Sequence, residues 1–235
     1  MGRQVIAGSA WRNYLEGSDL QRSNYLACNC REVKRCLTFI HANTGRSRTR
    51  KVASMSNFPI HSIQSAPEGS RASLRALEEV FGFVPNIARA MAESPVLLKG
   101  FIGLFQNVHS GTFTEAEIQV LLLTNAVTNR CPWAVAFHTH LALKQGVAEA
   151  DVNAIRERRV PANDRHGSLS ATARALIEHR GSVDAADLTR FFAAGYSAGQ
   201  LMEAIGVVAA STVTNYVGNL ALPPLEEAFQ KHAWQ

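Results

Sequence analysis

Cysteine is scarce in this chain and unevenly placed. Three of its four cysteines, Cys28, Cys30 and Cys36, fall in the first 54 residues, and only Cys131 lies beyond them. A lone thiol cannot close an intrachain disulfide, so residues 55–235 read as a domain that folds without crosslinks, of the kind kept in the cytoplasm. No apolar run is long enough for a signal sequence or a membrane span, so no membrane partner is expected. Alternating strand-like runs are missing as well. Acidic residues are scarce at one end only. Residues 1–54 hold ten Lys/Arg against three Asp/Glu, and residues 55–235 hold fourteen against sixteen. The pI of 9.3 therefore belongs to the first segment. The remainder is mildly acidic and gives no electrostatic reason to expect nucleic acid.

Residues 1–54 mix Arg, Ser, Asn and Cys without periodicity and include the basic run Arg46 to Lys51. Glu16, Asp19 and Glu32 interrupt any reading as a targeting extension. The spacing of Cys28, Cys30, Cys36 and His41 matches no common zinc pattern. The expectation is a basic, disordered extension, with Met55-Ser56-Asn57 as a natural start and a domain over residues 55–235.

What is present is helical. Apolar residues at helical spacing predict helices over residues 69–80, 86–92, 94–109, 148–158, 170–179, 184–194, 197–220 and 223–232. Ser94-Pro95 reads as an N-cap with proline in the first turn. A polar loop is expected over residues 161–167. Helix 197–220 is apolar over most of its circumference and must be covered on all sides, which predicts a homo-oligomer.

The chain is organised around Thr114 to Gly146. Thr114 and Glu117 form a capping-box pattern ahead of Ile118, Leu121, Leu122 and Ala126. A break at Asn129-Arg130-Cys131-Pro132 starts a second helix, which Lys144 and Gly146 end. Cys131 then heads that helix, and His138 follows after about two turns of roughly 3.6 residues, so the two are expected to share a face. The helix dipole should make the thiol more acidic than a free cysteine. Alternatively, Cys131 is a small buried apolar residue and His138 a satisfied interior one. His140 points elsewhere, so His138 and His140 make a poor metal pair. Trp133 and Phe137 read as packing. Asn215 and Tyr216, in the long helix, line a pocket or form a hydrogen-bonded core pair.

The run Asn129-Arg130-Cys131-Pro132-Trp133-Ala134-Val135-Ala136-Phe137-His138-Thr139 resembles the alkylhydroperoxidase D-like / carboxymuconolactone decarboxylase family. That family carries Asn-x-Cys-x-x-Cys-x-x-x-His-Thr at the head of a helix. The resemblance is strong over residues 75–160. It continues through Ala194 to Ser197 and Thr214 to Tyr216, where the chain is similar to the longer, peroxidase-related members. It implies an all-α helical bundle, a small-molecule substrate and oligomers, and it calls for no cofactor and no metal. In the peroxidase members two cysteines and the histidine work with a Glu twelve residues before the first Cys. Here that position is Gln119, and the second cysteine, the one implicated in attacking peroxide, is Ala134. Glu117 cannot replace the missing carboxylate, because residues two apart on a helix do not share a face.

Three functions follow from the resemblance and its departures. The first is a peroxidase-like thiol oxidoreductase acting on hydroperoxides through Cys131 and His138, with an external thiol as reductant. The second is a cofactor-free decarboxylase or isomerase of a small lactone acid. The third is a non-catalytic oligomeric helical protein.

Overall fold

The computed structural model describes residues 58–235. Expectations for residues 1–54, including Cys28, Cys30, Cys36 and His41, lie outside the described residues. Within them the chain forms α1 (Glu68–Phe81), α2 (Asn86–Met91), α3 (Pro95–His109), α4 (Glu115–Thr128), α5 (Pro132–Lys144), α6 (Glu149–Arg156), α7 (Asp164–Glu178), α8 (Ala185–Ala193) and α9 (Ala198–Ala221). A 3-10 helix, Glu227–His232, closes the chain, and the described residues contain no strand. The architecture is the all-α bundle expected.

The helices begin where a side chain can accept a free amide. Ser94, Thr114, Asn163, Asp184 and Ser197 each accept a hydrogen bond from the N–H three residues on. Each satisfies one of the four N–H groups that a helix start leaves unpaired. Thr114 with Glu117, and Ser197 with Gln200, complete reciprocal capping boxes.

The break between α4 and α5 is a Schellman motif. The Cys131 N–H donates to the Ala126 carbonyl at 3.0 Å and the Arg130 N–H to the Val127 carbonyl at 3.2 Å. Arg130 takes the left-handed conformation this requires, with φ 53°. α5 ends in the same motif, with Gly146 in the left-handed position at φ 83°.

α4 is the centre of the fold. Every residue from Glu117 to Val127 is buried, because α5, α6, α7 and α9 pack around it. A helix enclosed on all sides needs the Val/Leu/Ile content that this one has.

Two expectations are corrected. α7 starts at Asp164 instead of Ser170, because Asn163 caps it and Gly167 seats so close to the Pro161 carbonyl that a Cβ would lie 2.9 Å from it. The closing α-helix is replaced by an extended stretch and the 3-10 turn. There Glu226 reaches away to accept hydrogen bonds from the Asn86 N–H at 2.6 Å and from the Trp133 indole at 2.9 Å. Met202, Ile205, Tyr216 and Leu220 of α9 are exposed in the single chain. Among the described residues no helix is long and apolar enough to cross a membrane.

Candidate functional site

The site is built where α4 and α5 face each other. His138 of α5 is buried, and its Nδ1 lies 3.0 Å from Oε1 of Gln119 on α4. A carbonyl oxygen only accepts, so Nδ1 carries the proton and Nε2 keeps its lone pair. Burial, together with the charge of His109, pushes the imidazole pKa down to about 3. The ring is therefore neutral at physiological pH. Nε2 has no hydrogen-bond partner among the described residues, yet it is not one of the sealed, unpartnered polar atoms.

His138 opens onto a cavity of about 50 Å³. Five aromatic rings wall it: Phe81 from α1, Phe101 and Phe105 from α3, and Trp133 and Phe137 from α5. Leu77, Ile87 and Ile102 fill the gaps, and Thr214 of α9 is the second polar group on the wall. Trp133 and Phe137 stack with centroids 5.0 Å apart, and Phe137 meets the His138 ring edge-on at 5.3 Å. The pair expected to be packing is thus both packing and cavity wall.

Cys131 does not belong to this cavity. It is fully buried and lies under Gly218 of α9, so close that a Cβ on that glycine would sit 2.6 Å from Sγ. Cys131 is the N-cap of α5, in extended conformation (φ −103°, ψ 98°). The expectation of an acidic thiol is overturned. Burial raises the Cys131 pKa, outweighing the amides of Ala134 and Trp133, which pull it down without closing a cap hydrogen bond.

The other expected site residues divide. Gln119 meets His138. Ala134 is fully buried one turn before it. Asn215 is buried and does not line the cavity; its amide donates to Ser211 Oγ at 3.3 Å, and its Oδ1 has no partner. Its neighbour Thr214 takes the wall position. Tyr216 is 63 % exposed, because the next residue along α9 turns to the outer face. His140 lies apart from His138, with its ring 5.8 Å from that of His232. Among the described residues no group of three or more His, Cys, Asp or Glu could hold a metal ion.

Glu117 is committed elsewhere, as its place on α4 implied. It accepts hydrogen bonds from Arg165 at 2.7 Å and the Tyr196 hydroxyl at 2.8 Å, while its other oxygen takes the Thr114 N–H. Burial would raise its pKa, but the Thr114 amide, Arg165 and Tyr196 together hold it below the usual value.

Sequence reasoning missed Thr214 and most of the aromatic wall. Only Phe101 and Phe105, four residues apart on one helix face, gave a signal for it.

An all-α fold with a histidine on one central helix, held by a polar side chain from the other, defines a recognisable class. Residues 95–178, which hold Gln119, Cys131 and His138, match the model of the carboxymuconolactone decarboxylase family. The chain matches no curated protein.

Among solved structures it is similar to the alkylhydroperoxidase AhpD core of an uncharacterised peroxidase-related protein from Ralstonia eutropha JMP134. The TM-score is 0.64 at 16 % identity, covering 73 % of this chain and 93 % of that one. A peroxidase-related protein from Silicibacter sp. TM1040 gives a TM-score of 0.62 at 15 % identity, covering 74 % and 92 %. An apo debrominase gives 0.60 at 19 % identity, covering 70 % and 90 %. At these identities the likeness is one of fold.

Proposed function

We propose that this chain is a cofactor-free acid–base enzyme, a lyase or isomerase of a small organic molecule, in which His138 moves the proton and Gln119 positions it. The observation that carries this reading is the Gln119–His138 hydrogen bond at the wall of an apolar cavity. Gln119 fixes the tautomer and leaves Nε2 as the base. With a pKa of about 3, the imidazole is unprotonated across the physiological range and ready to accept. Nε2 takes a proton from the substrate and its electron pair stays on the substrate. Returning the proton at another atom completes an isomerisation, and loss of a leaving group completes an elimination. Cys131 takes no part in either. The lone thiol of the described domain suits a cytoplasmic location.

A second reading, thiol-dependent peroxide reduction through Cys131, is favoured by the peroxidase-related fold neighbours. Against it stand the buried thiol, its raised pKa and its place outside the cavity.

The test is deuterium uptake from solvent into a panel of small uncharged β-dicarbonyl compounds and 2-acyl lactones, whose C–H is already acidic, run beside hydroperoxide consumption, with wild type, His138→Gln and Cys131→Ser. Exchange lost in His138→Gln and kept in Cys131→Ser supports the acid–base reading. Peroxide consumption lost in Cys131→Ser replaces it with the thiol reading.

A further inference from the structure

From the two polar groups on the cavity wall we infer that the ligand of this site is an uncharged apolar molecule that presents an O–H or N–H donor, and not a carboxylate. The inference rests on the reading of His138 as a proton acceptor and narrows its substrate.

Three observations carry it. First, the hydrogen bond from His138 Nδ1 to Gln119 leaves Nε2 as an acceptor. Second, the Thr214 hydroxyl is already spent as a donor. It gives its single proton to the Ser211 carbonyl at 2.8 Å, so it has no proton to offer the cavity. The indole N–H of Trp133, the remaining donor among the lining side chains, is taken by Glu226, so none of them has a free proton to offer a ligand. Third, no Lys or Arg is among the residues lining the cavity.

A carboxylate, which is acceptor-only and charged, would meet two acceptors and five aromatic rings with no cation to neutralise it. A donor on an apolar ring or short chain gives its one hydrogen to His138 Nε2 and buries its remainder against the rings. Size adds a limit. A cavity of about 50 Å³ takes a handful of non-hydrogen atoms before the ligand must extend through its mouth. The donated hydrogen is also the one that lies against Nε2, so the group that binds is the group that can be deprotonated. This excludes the acid form of lactone that the family name suggests, because its carboxylate finds no partner.

The test is binding, read without turnover. Pyrrole, furan and pyrrole-2-carboxylate share one ring and differ in carrying a donor, an acceptor or a charge. Each is titrated into the full-length protein at neutral pH and followed by NMR at the Trp133 indole and the His138 ring. One hydrogen bond is worth about 1 kcal/mol net, so pyrrole should bind roughly five- to tenfold tighter than furan. Pyrrole-2-carboxylate should show no binding where pyrrole saturates. His138→Phe, which keeps a ring and removes the acceptor, should erase the preference for pyrrole over furan.

Furan binding as tightly as pyrrole, the carboxylate binding as tightly as either, or no probe binding at all would overturn the inference. Pyrrole binding with the expected preference, in a protein that exchanges no substrate proton, would leave this inference standing and remove the acid–base reading.

Discussion

Acid should unfold this protein through His138 before any carboxylate takes part. In the unfolded chain the imidazole has its ordinary pKa of 6.5, and in the native fold burial lowers it to about 3. Between those values the unfolded state binds one more proton than the native state. Stability is therefore complete above about pH 6.5 and falls as pH drops toward 3. The slope for one proton is about 1.4 kcal/mol per pH unit, so lowering the pH from 7 to 5 removes about 2 kcal/mol. The figure hardly changes for any native pKa below about 4, because the ring is then neutral throughout this window.

Glu117, whose pKa is depressed, contributes in the same direction only below the ordinary carboxylate value, so stopping at pH 5 keeps it out. His140 and His232 are also lowered by burial, but they remain in both proteins of the comparison. The assay is urea unfolding of wild type and His138→Gln at pH 5, 6 and 7. With a slope of about 2 kcal/mol per molar urea, the wild-type midpoint should fall by about 1 M more than that of the variant. Equal falls in the two proteins would refute the buried neutral imidazole, whatever the absolute stabilities.

Gly218→Ala should destabilise by about 1–2 kcal/mol despite the better helix propensity of alanine, because its Cβ would meet Cys131 Sγ at 2.6 Å and Ile87 at 3.4 Å. Adding Cys131→Ala should recover most of that loss in a melting experiment, and a Gly218→Ala protein as stable as wild type would show that the thiol is not held there. Arg130→Gly should stabilise by up to about 1 kcal/mol, read from the urea midpoint, since φ 53° suits glycine better than arginine. Met202, Ile205, Tyr216 and Leu220 fall on one exposed face of α9, at spacings that are sums of threes and fours, and burial against a second copy is the expected outcome. Light scattering at micromolar concentration should give more than the monomer mass, and Tyr216→Glu should lower it. Gln119→Glu with Ala134→Cys should restore peroxide turnover with a dithiol reductant, because residue 134 lies one helical turn before His138; an inactive double variant would mean that the surrounding geometry has been lost too.

The sequence made the local features legible and left the tertiary ones hidden. The capping box at Thr114, the break before Pro132 and the glycine stop at Gly146 depend on neighbours within a few residues, and each stands where it was expected. Gln119 was found by counting along the chain from Cys131, but its bond to His138 joins residues nineteen apart, and no periodicity encodes it. The cavity draws on α1, α2, α3, α5 and α9, so only one face of α3 gave any hint of it. The error over the acidity of Cys131 has one cause. The dipole was given the decisive role at a residue whose environment is set by burial under Gly218. Asn215 and Tyr216 were named from their place in an apolar helix. One residue along such a helix rotates the side chain by about 100°, so Thr214, Asn215 and Tyr216 face a cavity, a core and solvent in turn.

The two departures from the family pattern belong together. A relay of glutamate, histidine and thiol needs charge, because the carboxylate stabilises the imidazolium that forms when the thiol gives up its proton. Removing only the cysteine would leave a buried carboxylate beside His138, raising the imidazole pKa toward the charged form. Removing only the glutamate would leave a thiol with no means of becoming a thiolate in an apolar wall. With Gln119 and Ala134 both in place, every group around the ring is neutral. The amide oxygen can accept the Nδ1 proton but cannot stabilise a second one as a carboxylate would. With no carboxylate to oppose them, burial and the charge of His109 lower the imidazole pKa to about 3. The same neutrality makes the cavity hostile to anions and leaves Nε2 as a weak base. Such a base does not draw protons from ordinary carbon acids at speed. It suits a substrate whose own hydrogen is already acidic, held against it by a water-excluding ring of aromatics.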